Sequence, residues 1–184
     1  MYYFARQNLF EELGMIEVVG HTPATGQFEW ISGMAFNQPV PRETLQLDPA
    51  YGTNMPDIFD TTIPLFSERL LQCLRSAGID NIDAYPMVLH RQDTGELIEN
   101  YQAINVIGRV DATDLGASVY RKRFGKPYLT GAVAVDPARC KGLEVFRLLH
   151  GPGFIVVNER IAGILRQGSF KALLLQPTLD YAGT

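Results

Sequence analysis

The chain carries an internal repeat, and this feature constrains its fold more than any other. Residues 64–86 align without a gap with residues 155–177, at an offset of 91 residues. The match is closest where PLFSERLLQCLR aligns with IVVNERIAGILR. A repeat of this kind sets the architecture before any finer pattern does. It predicts two similar strand–helix–strand units, over about residues 64–89 and 154–176, packed on one core.

The pattern of predicted elements places the chain in the α+β class. Strand-like segments outnumber helical ones, and we expect a mostly antiparallel sheet with the two units packed on it. A chain of 184 residues is long enough for one well-filled core. We therefore predict a single domain over residues 1–184, with a β-rich N-terminal part (1–60) and a repeat-containing part (61–177).

Capping residues define the first repeat unit. A helix is expected to begin at Ser67 and to end at Gly78, a residue suited to a left-handed helix terminus. Residues 82–90 and 101–110 are rich in apolar and β-branched residues, and the turn Asp93–Gly95 lies between them. These two segments are predicted to pair antiparallel.

Other local expectations are less tied to the repeat. Strands are predicted at Met1–Phe10, Phe28–Ile31 and Ala132–Val135, and a loosely held tail after Pro177. Cys73 is expected in the core, and Cys140, in a polar stretch, is expected to be exposed. Two cysteines give no disulfide framework.

Charge and hydropathy exclude several classes of protein. The net charge of −4 disfavours non-specific nucleic-acid binding, which needs a basic surface. No apolar run approaches the ~20 residues of a membrane-spanning helix. The N-terminus lacks the basic region and apolar stretch of a signal peptide. We expect a cytoplasmic protein with reduced thiols.

The two predicted helix starts are similar in chemistry. Ser67–Glu68 and Asn158–Glu159 each place an N-cap residue before an acidic residue, as helix N-termini favour. Arg69 and Arg160 oppose the helix dipole by about 0.3–1 kcal/mol. Something must compensate for this cost. Each arginine is therefore predicted to form a structural salt bridge or to bind a partner.

No catalytic, cofactor or metal site follows from the residues. His21, His90 and His150 are scattered, without the spacing of metal ligands. The glycines form neither a phosphate loop nor a dinucleotide fingerprint. We predict no cofactor, no metal and no enzymatic activity.

Three further groups of residues are candidate partner-binding sites. Arg121, Lys122 and Arg123, with Lys126 and nearby aromatics, form a basic cluster in a predicted solvated loop that could touch an acidic protein. Trp30 is expected in the core, or on the surface as an interface anchor. Asp111 and Asp114, like Asp57 and Asp60, lie near strand ends, where they could face a basic partner or cap turns.

Several motifs, in this order, resemble a bacterial family of immunity proteins from polymorphic-toxin systems. These motifs are a tyrosine-rich opening strand (Tyr2–Phe4), a (V/F)-S-E-R-(L/A) helix start (Phe66–Leu70), a Y-x-x-(I/V)-N-V strand (Tyr101–Val106) followed by Val110-Asp111, and a second E-R helix with a short strand (Glu159–Leu175). The resemblance implies a cytosolic protein that binds and blocks a toxin, often a nuclease. It implies no catalytic residue.

Two functions from different classes follow. The leading hypothesis is a non-catalytic immunity protein that neutralises a cognate toxin, with its interface on the variable stretches 37–57 and 113–130. The alternative is an enzyme that binds a small molecule between the two units, near Arg69, Arg160 and a carboxylate. A homodimeric scaffold is a third option. No membrane partner and no direct contact with nucleic acid are expected.

Overall fold

The computed structural model describes residues 1–8, 14–19 and 25–183 of the chain. The composition of His21–Gly26 predicts a turn, and residues 21–24 of it lie outside the described residues. The two helices are α1 (Glu68–Ser76) and α2 (Glu159–Gln167). The strands are β1 (Tyr2–Gln7), β2 (Gly14–Met15), β3 (Glu17–Val19), β4 (Thr44–Asp48), β5 (Gly52–Asn54), β6 (Ile58–Phe59), β7 (Leu65–Ser67), β8 (Ile82–Arg91), β9 (Leu97–Val106), β10 (Arg109–Val110), β11 (Tyr120–Arg123), β12 (Lys126–Leu129), β13 (Val145–Leu148), β14 (Gly151–Asn158) and β15 (Leu173–Pro177).

Most strands belong to two sheets. The six-stranded sheet has the order β3-β4-β8-β9-β7-β6, and the five-stranded sheet has the order β10-β13-β14-β1-β15. Neighbours pair antiparallel, except that β4–β8 and β10–β13 are parallel. The segments β11–β12 and β2–β5 form two-stranded ribbons. The α+β class predicted from the sequence is confirmed.

A strand–helix–strand segment lies in each sheet. The first unit is β7–α1–β8, and β9 lies between its two strands and is antiparallel to both. The second unit is β14–α2–β15, and β1 lies between its strands in the same way. The N-terminal part, residues 1–60, therefore forms no separate body, because its first strand completes the sheet of the second unit.

Both helices form where the sequence favours them. The side chains of Ser67 and Asn158 accept hydrogen bonds from the backbone N–H groups three residues later, at 3.2 and 3.0 Å. These bonds satisfy donors that the first helical turn leaves unpaired. Gly78 has a φ of +85°, the left-handed conformation expected after α1.

One apolar cluster joins the two units. It contains the buried faces of both helices together with residues from β1, β7, β8, β9, β13 and β14. A second cluster covers the other face of the six-stranded sheet, under the segment that holds Phe28 and Trp30. A third covers the other face of the five-stranded sheet, under residues 112–140. The central cluster thus makes each unit depend on the other.

Several local expectations are corrected. Phe28–Ile31 is not a strand, because the chain turns there and the indole N–H of Trp30 donates to the carbonyl of Thr25 at 3.0 Å. Ala132–Val135 forms only one isolated bridge, between Thr113 and Val135. Cys140 is buried rather than exposed, since the 3₁₀ turn at Pro137–Arg139 directs it into the third cluster.

The tail after Pro177 is also more ordered than expected. Tyr181 is buried and packs edge-on against the rings of Phe4 and Phe154, at 5.5 and 5.1 Å between centroids. Aromatic burial of this kind stabilises a segment that has little regular structure. Neither α1 nor α2 has the length and apolar character needed to cross a membrane.

The central cluster predicts a large difference between two leucine substitutions. Leu71, on α1, is 0% exposed, whereas Leu97, at the start of β9, is 59% exposed. Leu71→Ala is expected to lower the free energy of unfolding by about 2–5 kcal/mol, because it leaves a cavity. The matched control Leu97→Ala should change it by less than about 0.5 kcal/mol. Urea denaturation measures both, and equal losses would contradict the assignment of the core.

Candidate functional site

Arg69, in the first turn of α1, binds the carboxylate of Asp57. Its Nη2 lies 2.5 Å from Asp57 Oδ2, and its Nε donates to Oδ1 at 3.4 Å. The same carboxylate accepts from Ser67 Oγ at 2.5 Å and from the backbone N–H of Lys171 at 2.8 Å. Arg69 Nη1 also donates to the carbonyl of Gly168, the C-cap of α2, at 3.1 Å. The start of α1 is therefore joined to the end of α2.

Arg160 makes the matching set of bonds at the other end of the helix pair. It binds both carboxylate oxygens of Glu144, from Nε at 2.6 Å and from Nη2. The side-chain amide of Asn158 donates to Glu144 Oε1 at 2.8 Å. Arg160 Nη2 also donates to the carbonyl of Ala77, the C-cap of α1, at 2.9 Å. The start of α2 is therefore joined to the end of α1.

These reciprocal bonds explain why a cation occupies the first turn of each helix. A positive charge there opposes the dipole of its own helix. Each guanidinium, however, also contacts the C-terminal carbonyls of the other helix, where a cation is favourable. We call the six residues that form the two ion pairs and the two N-caps the clasp: Asp57, Ser67 and Arg69 with Glu144, Asn158 and Arg160.

The two carboxylates of the clasp differ in burial. The Asp57 side chain is 9% exposed and the Glu144 side chain is 30% exposed. The hydrogen bond from Arg160 lowers the pKa of Glu144 to about 2. Glu144 therefore stays ionised well into the acidic range and holds Arg160 in place.

Glu68 and Glu159, the acidic residues of the two helix starts, are engaged on the surface. Glu68 accepts from the side-chain amide of Gln72, one turn further along α1, at 3.2 Å. Glu159 accepts from the hydroxyl of Tyr3 at 2.8 Å and forms an ion pair with Arg166 at 3.3 Å. Both positions also suit the dipole of the helix that they begin.

The remaining candidates occupy separate places. Trp30 is buried against Phe36 and Tyr85, with ring centroids 5.1 and 5.8 Å away, so it is a core residue rather than an exposed anchor. Asp111 lies 3.4 Å from His150 Nε2. Asp114 accepts from the backbone N–H two residues later at 2.9 Å, which caps a turn.

Arg121, Lys122 and Arg123 lie in a β-hairpin, not in the loop that the sequence predicted. β11 and β12 pair in register from Tyr120 with Leu129 to Arg123 with Lys126, which leaves Phe124–Gly125 as a two-residue turn. We call residues 120–129 the basic hairpin. Its four cationic side chains are exposed, while Leu129 is buried in the third cluster and anchors the hairpin to the body.

The turn of the basic hairpin displays a phenylalanine. Phe124 is 93% exposed and has a φ of +51°, and Gly125 follows with a φ of +76°. Two left-handed residues in succession suit a tight hairpin, where asparagine and glycine are preferred. Phenylalanine in the first position is strained by about 1–2 kcal/mol. The Arg123 guanidinium lies 5.7 Å from the ring centroid.

A cleft of about 610 Å³ is lined by the segment 28–32, by the turn that joins β6 to β7, and by single residues of β10 and β14. Asp60 lines it from the turn, Arg109 from β10 and Gly153 from β14. Desolvation raises the pKa of Asp60, whose carboxylate lies 4.0 Å from Arg6 Nε. Arg69 and Arg160 do not line this cleft. The small-molecule alternative is based on these two arginines, and it stays a prediction.

Some residues of these sites carried too weak a signal to be found in the sequence. Glu144 precedes β13 as Asp57 precedes β6, but the separation from the N-cap differs, being 10 residues for Asp57 and 14 for Glu144. Arg147 is fully buried, and a lone arginine in the apolar run VFRLL was its only signal. Among residues 1–8, 14–19 and 25–183, no group of three His, Cys, Asp or Glu side chains is placed to hold a metal ion.

The chain matches no protein-family model, and no curated protein matches it. The clasp, the basic hairpin and the cleft are therefore the features of the chain that bear on its function. Of the three, the clasp is occupied by contacts within the chain, whereas the basic hairpin and the cleft present groups to solvent.

The difference in burial between the two carboxylates of the clasp predicts unequal costs for losing each arginine. Arg69→Met leaves the buried Asp57 without its cation and should lower the free energy of unfolding by about 2 kcal/mol. Arg160→Met should cost less, because water can reach Glu144. Arg75→Met, at an exposed position in the last turn of α1, is the control and should change stability by less than about 0.5 kcal/mol. Urea denaturation checks the order, and an equal or larger loss for Arg160→Met would contradict it.

The lowered pKa of Glu144 predicts a specific dependence of stability on pH. The folded-state pKa, about 2, is below the ordinary value of 4.5, so the unfolded chain binds this proton more readily. The stabilisation is complete above pH 4.5 and is lost as the pH falls towards 2. In Glu144→Gln the free energy of unfolding should fall less steeply as the pH drops through that window, and its pH dependence near neutrality should be unchanged. Thermal unfolding at a series of pH values measures this, and the same acid destabilisation in the variant as in the original chain would be inconsistent with this role.

Proposed function

We propose that this chain is a non-catalytic binding protein, an immunity factor that neutralises a bacterial toxin by covering its active or substrate site. The observation that carries the proposal is the basic hairpin, which places a strained, exposed phenylalanine among four cationic side chains. Strain of this kind persists only where the surrounding structure enforces it, and it concentrates at functional positions. Phe124 is the proposed anchor, and the cations around it set the approach of the partner.

Charge separation supports a protein partner with an acidic recess. The basic hairpin carries four of the 16 Lys and Arg residues and no Asp or Glu, in a chain of net charge −4. The rest of the chain is therefore clearly acidic. Such an arrangement disfavours binding of nucleic acid, because the acidic remainder of the chain would repel its phosphates. It favours a protein partner that contacts only the basic hairpin. An exposed aromatic side chain flanked by arginine is typical of residues that dominate binding energy.

The resemblance to immunity proteins supports the same assignment from the order of the sequence motifs. Under this proposal the chain is cytoplasmic, where a toxin from the same or a neighbouring cell would be met. The toxin is a protein domain, with nucleases as the first class to test. The clasp and the central cluster would then keep the body rigid, which reduces the entropy lost when the hairpin binds.

We also infer that the two strand–helix–strand units are copies of one ancestral unit. The aligned residues Ser67–Glu68–Arg69 and Asn158–Glu159–Arg160 occupy matching places at the starts of α1 and α2. The backbone N–H groups of Ser67 and Asn158 donate to the carbonyls of Asp57 and Glu144, at 2.9 and 3.0 Å. A mostly antiparallel sheet in each half and a shared clasp are what duplication of one unit would leave.

The proposal predicts that binding and stability respond in opposite directions to one substitution. Phe124→Asn removes the aromatic ring and places a residue that tolerates the left-handed conformation in the hairpin turn. Stability should be unchanged or should rise by up to about 1 kcal/mol, while the affinity for the toxin should fall at least about 100-fold. Thermal unfolding and titration calorimetry, with the toxin domain encoded beside this chain, measure the two effects.

Two controls separate the anchor from general surface effects. Leu179→Ala removes another exposed apolar side chain, and Arg75→Gln removes another exposed cation, so neither should alter binding. The variant Arg121→Gln/Lys122→Gln/Arg123→Gln, which keeps only Lys126 of the four hairpin cations, should slow association and weaken its salt dependence. If the neighbouring toxin domain is folded and yet neither binds the chain nor loses toxicity on co-expression, the proposal fails.

A further inference from the structure

Arg109 and Arg147 lie directly opposite each other in the parallel pair β10–β13. Residues in direct register on neighbouring strands project their side chains from the same face of a sheet. Like charges in this position repel each other and destabilise the pair. Arg109 lines the cleft, so Arg147 projects from the face of the sheet that borders the cleft.

Arg147 is a buried cation with unused hydrogen-bond donors. Its side chain is fully buried, and its Nη1 donates to the carbonyls of Pro152 and Gly153 at 2.7 and 3.2 Å. Its Nε and Nη2 have no hydrogen-bond partner within the described part of the chain. Burial lowers its pKa to about 10, so the guanidinium is still charged at neutral pH. Asp60 acts electrostatically on this charge, but no carboxylate of the described residues forms an ion pair with it within 4.0 Å. The two unused donors therefore lack an acceptor within hydrogen-bond distance, a costly state for a buried cation.

Arg109 is held at the rim of the cleft without an ion pair. No carboxylate of residues 1–8, 14–19 or 25–183 lies within 4.0 Å of its guanidinium. Gly33, with a φ of +74°, permits its close approach, since a Cβ there would lie 2.6 Å from the Cβ of Arg109. Arg109 thus lines the cleft, and Arg147 lies behind Gly153, which also lines it; neither arginine has an ion pair within 4.0 Å among the described residues.

The rest of the cleft suits a small molecule. Its volume of about 610 Å³ is within the range of ligand sites. Its wall is partly aromatic, from Phe28 and Trp30, and Thr61 and Thr62 bring hydroxyl groups. The carbonyl of Gly153 accepts from Arg147, and Gly153 lines the cleft, so Arg147 lies directly behind this part of the wall.

We propose that this cleft binds a small ligand through a phosphate or carboxylate group held between Arg109 and Arg147, with an apolar or aromatic part against Phe28 and Trp30. Pairs of oxygens on a carboxylate or a phosphate match the donor geometry of guanidinium groups, which bind them through paired hydrogen bonds. Asp60 and Glu29 line the same cleft and oppose an anion, but the charge of Asp60 is partly balanced by Arg6 and Arg147. The site is independent of the basic hairpin and of any toxin.

The test uses three aromatic probes that differ only in their polar group. Phenyl phosphate and benzoate carry the two candidate anions, and benzamide is the neutral control. Trp30 is the only tryptophan of the chain and lines the cleft, so its fluorescence reports binding directly, and calorimetry gives the affinity. At least one anion should bind, and benzamide should not. Whichever of phenyl phosphate and benzoate binds more tightly identifies the chemistry of the natural ligand.

Substitutions decide whether the arginines hold the anion. Arg109→Gln should weaken binding about tenfold or more, since it removes a charged hydrogen-bond donor. Asp60→Asn should tighten binding, and Arg75→Gln, which removes an exposed cation of α1 outside the cleft, should leave it unchanged. Arg147→Met should abolish binding. If that variant does not fold, Arg109→Gln and Asp60→Asn carry the test.

Three results would overturn the proposal. The first is the absence of binding by both anions, and the second is equal binding of benzamide. The third is an affinity that Arg109→Gln leaves unchanged. In each case Arg109 and Arg147 would not form an anion site.

Discussion

The reciprocal clasp is the interaction on which the rest of the structure depends. Each helix is nine residues long, and isolated helices of that length are marginal in water. The clasp holds α1 and α2 against each other, because each arginine binds a carboxylate ahead of its own unit and a terminal carbonyl of the other helix. The central apolar cluster then packs both helices on the inner faces of the two sheets. Local helix propensity would not suffice for either helix. The long-range pairing of two charged groups and the burial of two apolar faces stabilise both.

This arrangement also separates structural charge from charge that is open to a partner. Arg69 and Arg160 are the arginines that the sequence pattern makes most conspicuous, and each forms an ion pair, with Asp57 and Glu144 respectively. Their guanidinium groups are therefore engaged within the chain, although their side chains are about half exposed. The exposed cations of the basic hairpin and Arg109 at the cleft form no such ion pairs among the described residues. The basic hairpin and the cleft beside Arg109 are two surfaces whose exposed residues can change without disturbing the core, since loops carry recognition while packed elements hold them in place.

Particular elements show which features of the fold can be predicted from sequence patterns. The starts of α1 and α2, the left-handed Gly78 and the antiparallel pairing of β8 with β9 followed from capping residues and hydrophobic periodicity, which act within a few residues. The expected strand at Phe28–Ile31 was wrong because aromatic burial, not strand pairing, decides that segment. Cys140 was expected at the surface because its neighbours are polar, but the turn before it directs the thiol inward. In both cases the local composition gave a wrong prediction, because packing against residues distant in the sequence determined the conformation.

The sequence by itself determined the α+β class, the helix boundaries and the presence of a compensating partner for each first-turn arginine, because these depend on short-range hydrogen bonds and on the helix dipole. It also marked residues 121–123 as basic and exposed. Only the tertiary structure decided that Asp57 and Glu144 are the partners, that β1 completes the sheet of the second unit, and that Arg109 lies opposite Arg147. The last two of these depend on which strands meet across more than 30 residues of chain. Such pairing is set by the burial of whole sheet faces, a property that no local window of sequence contains.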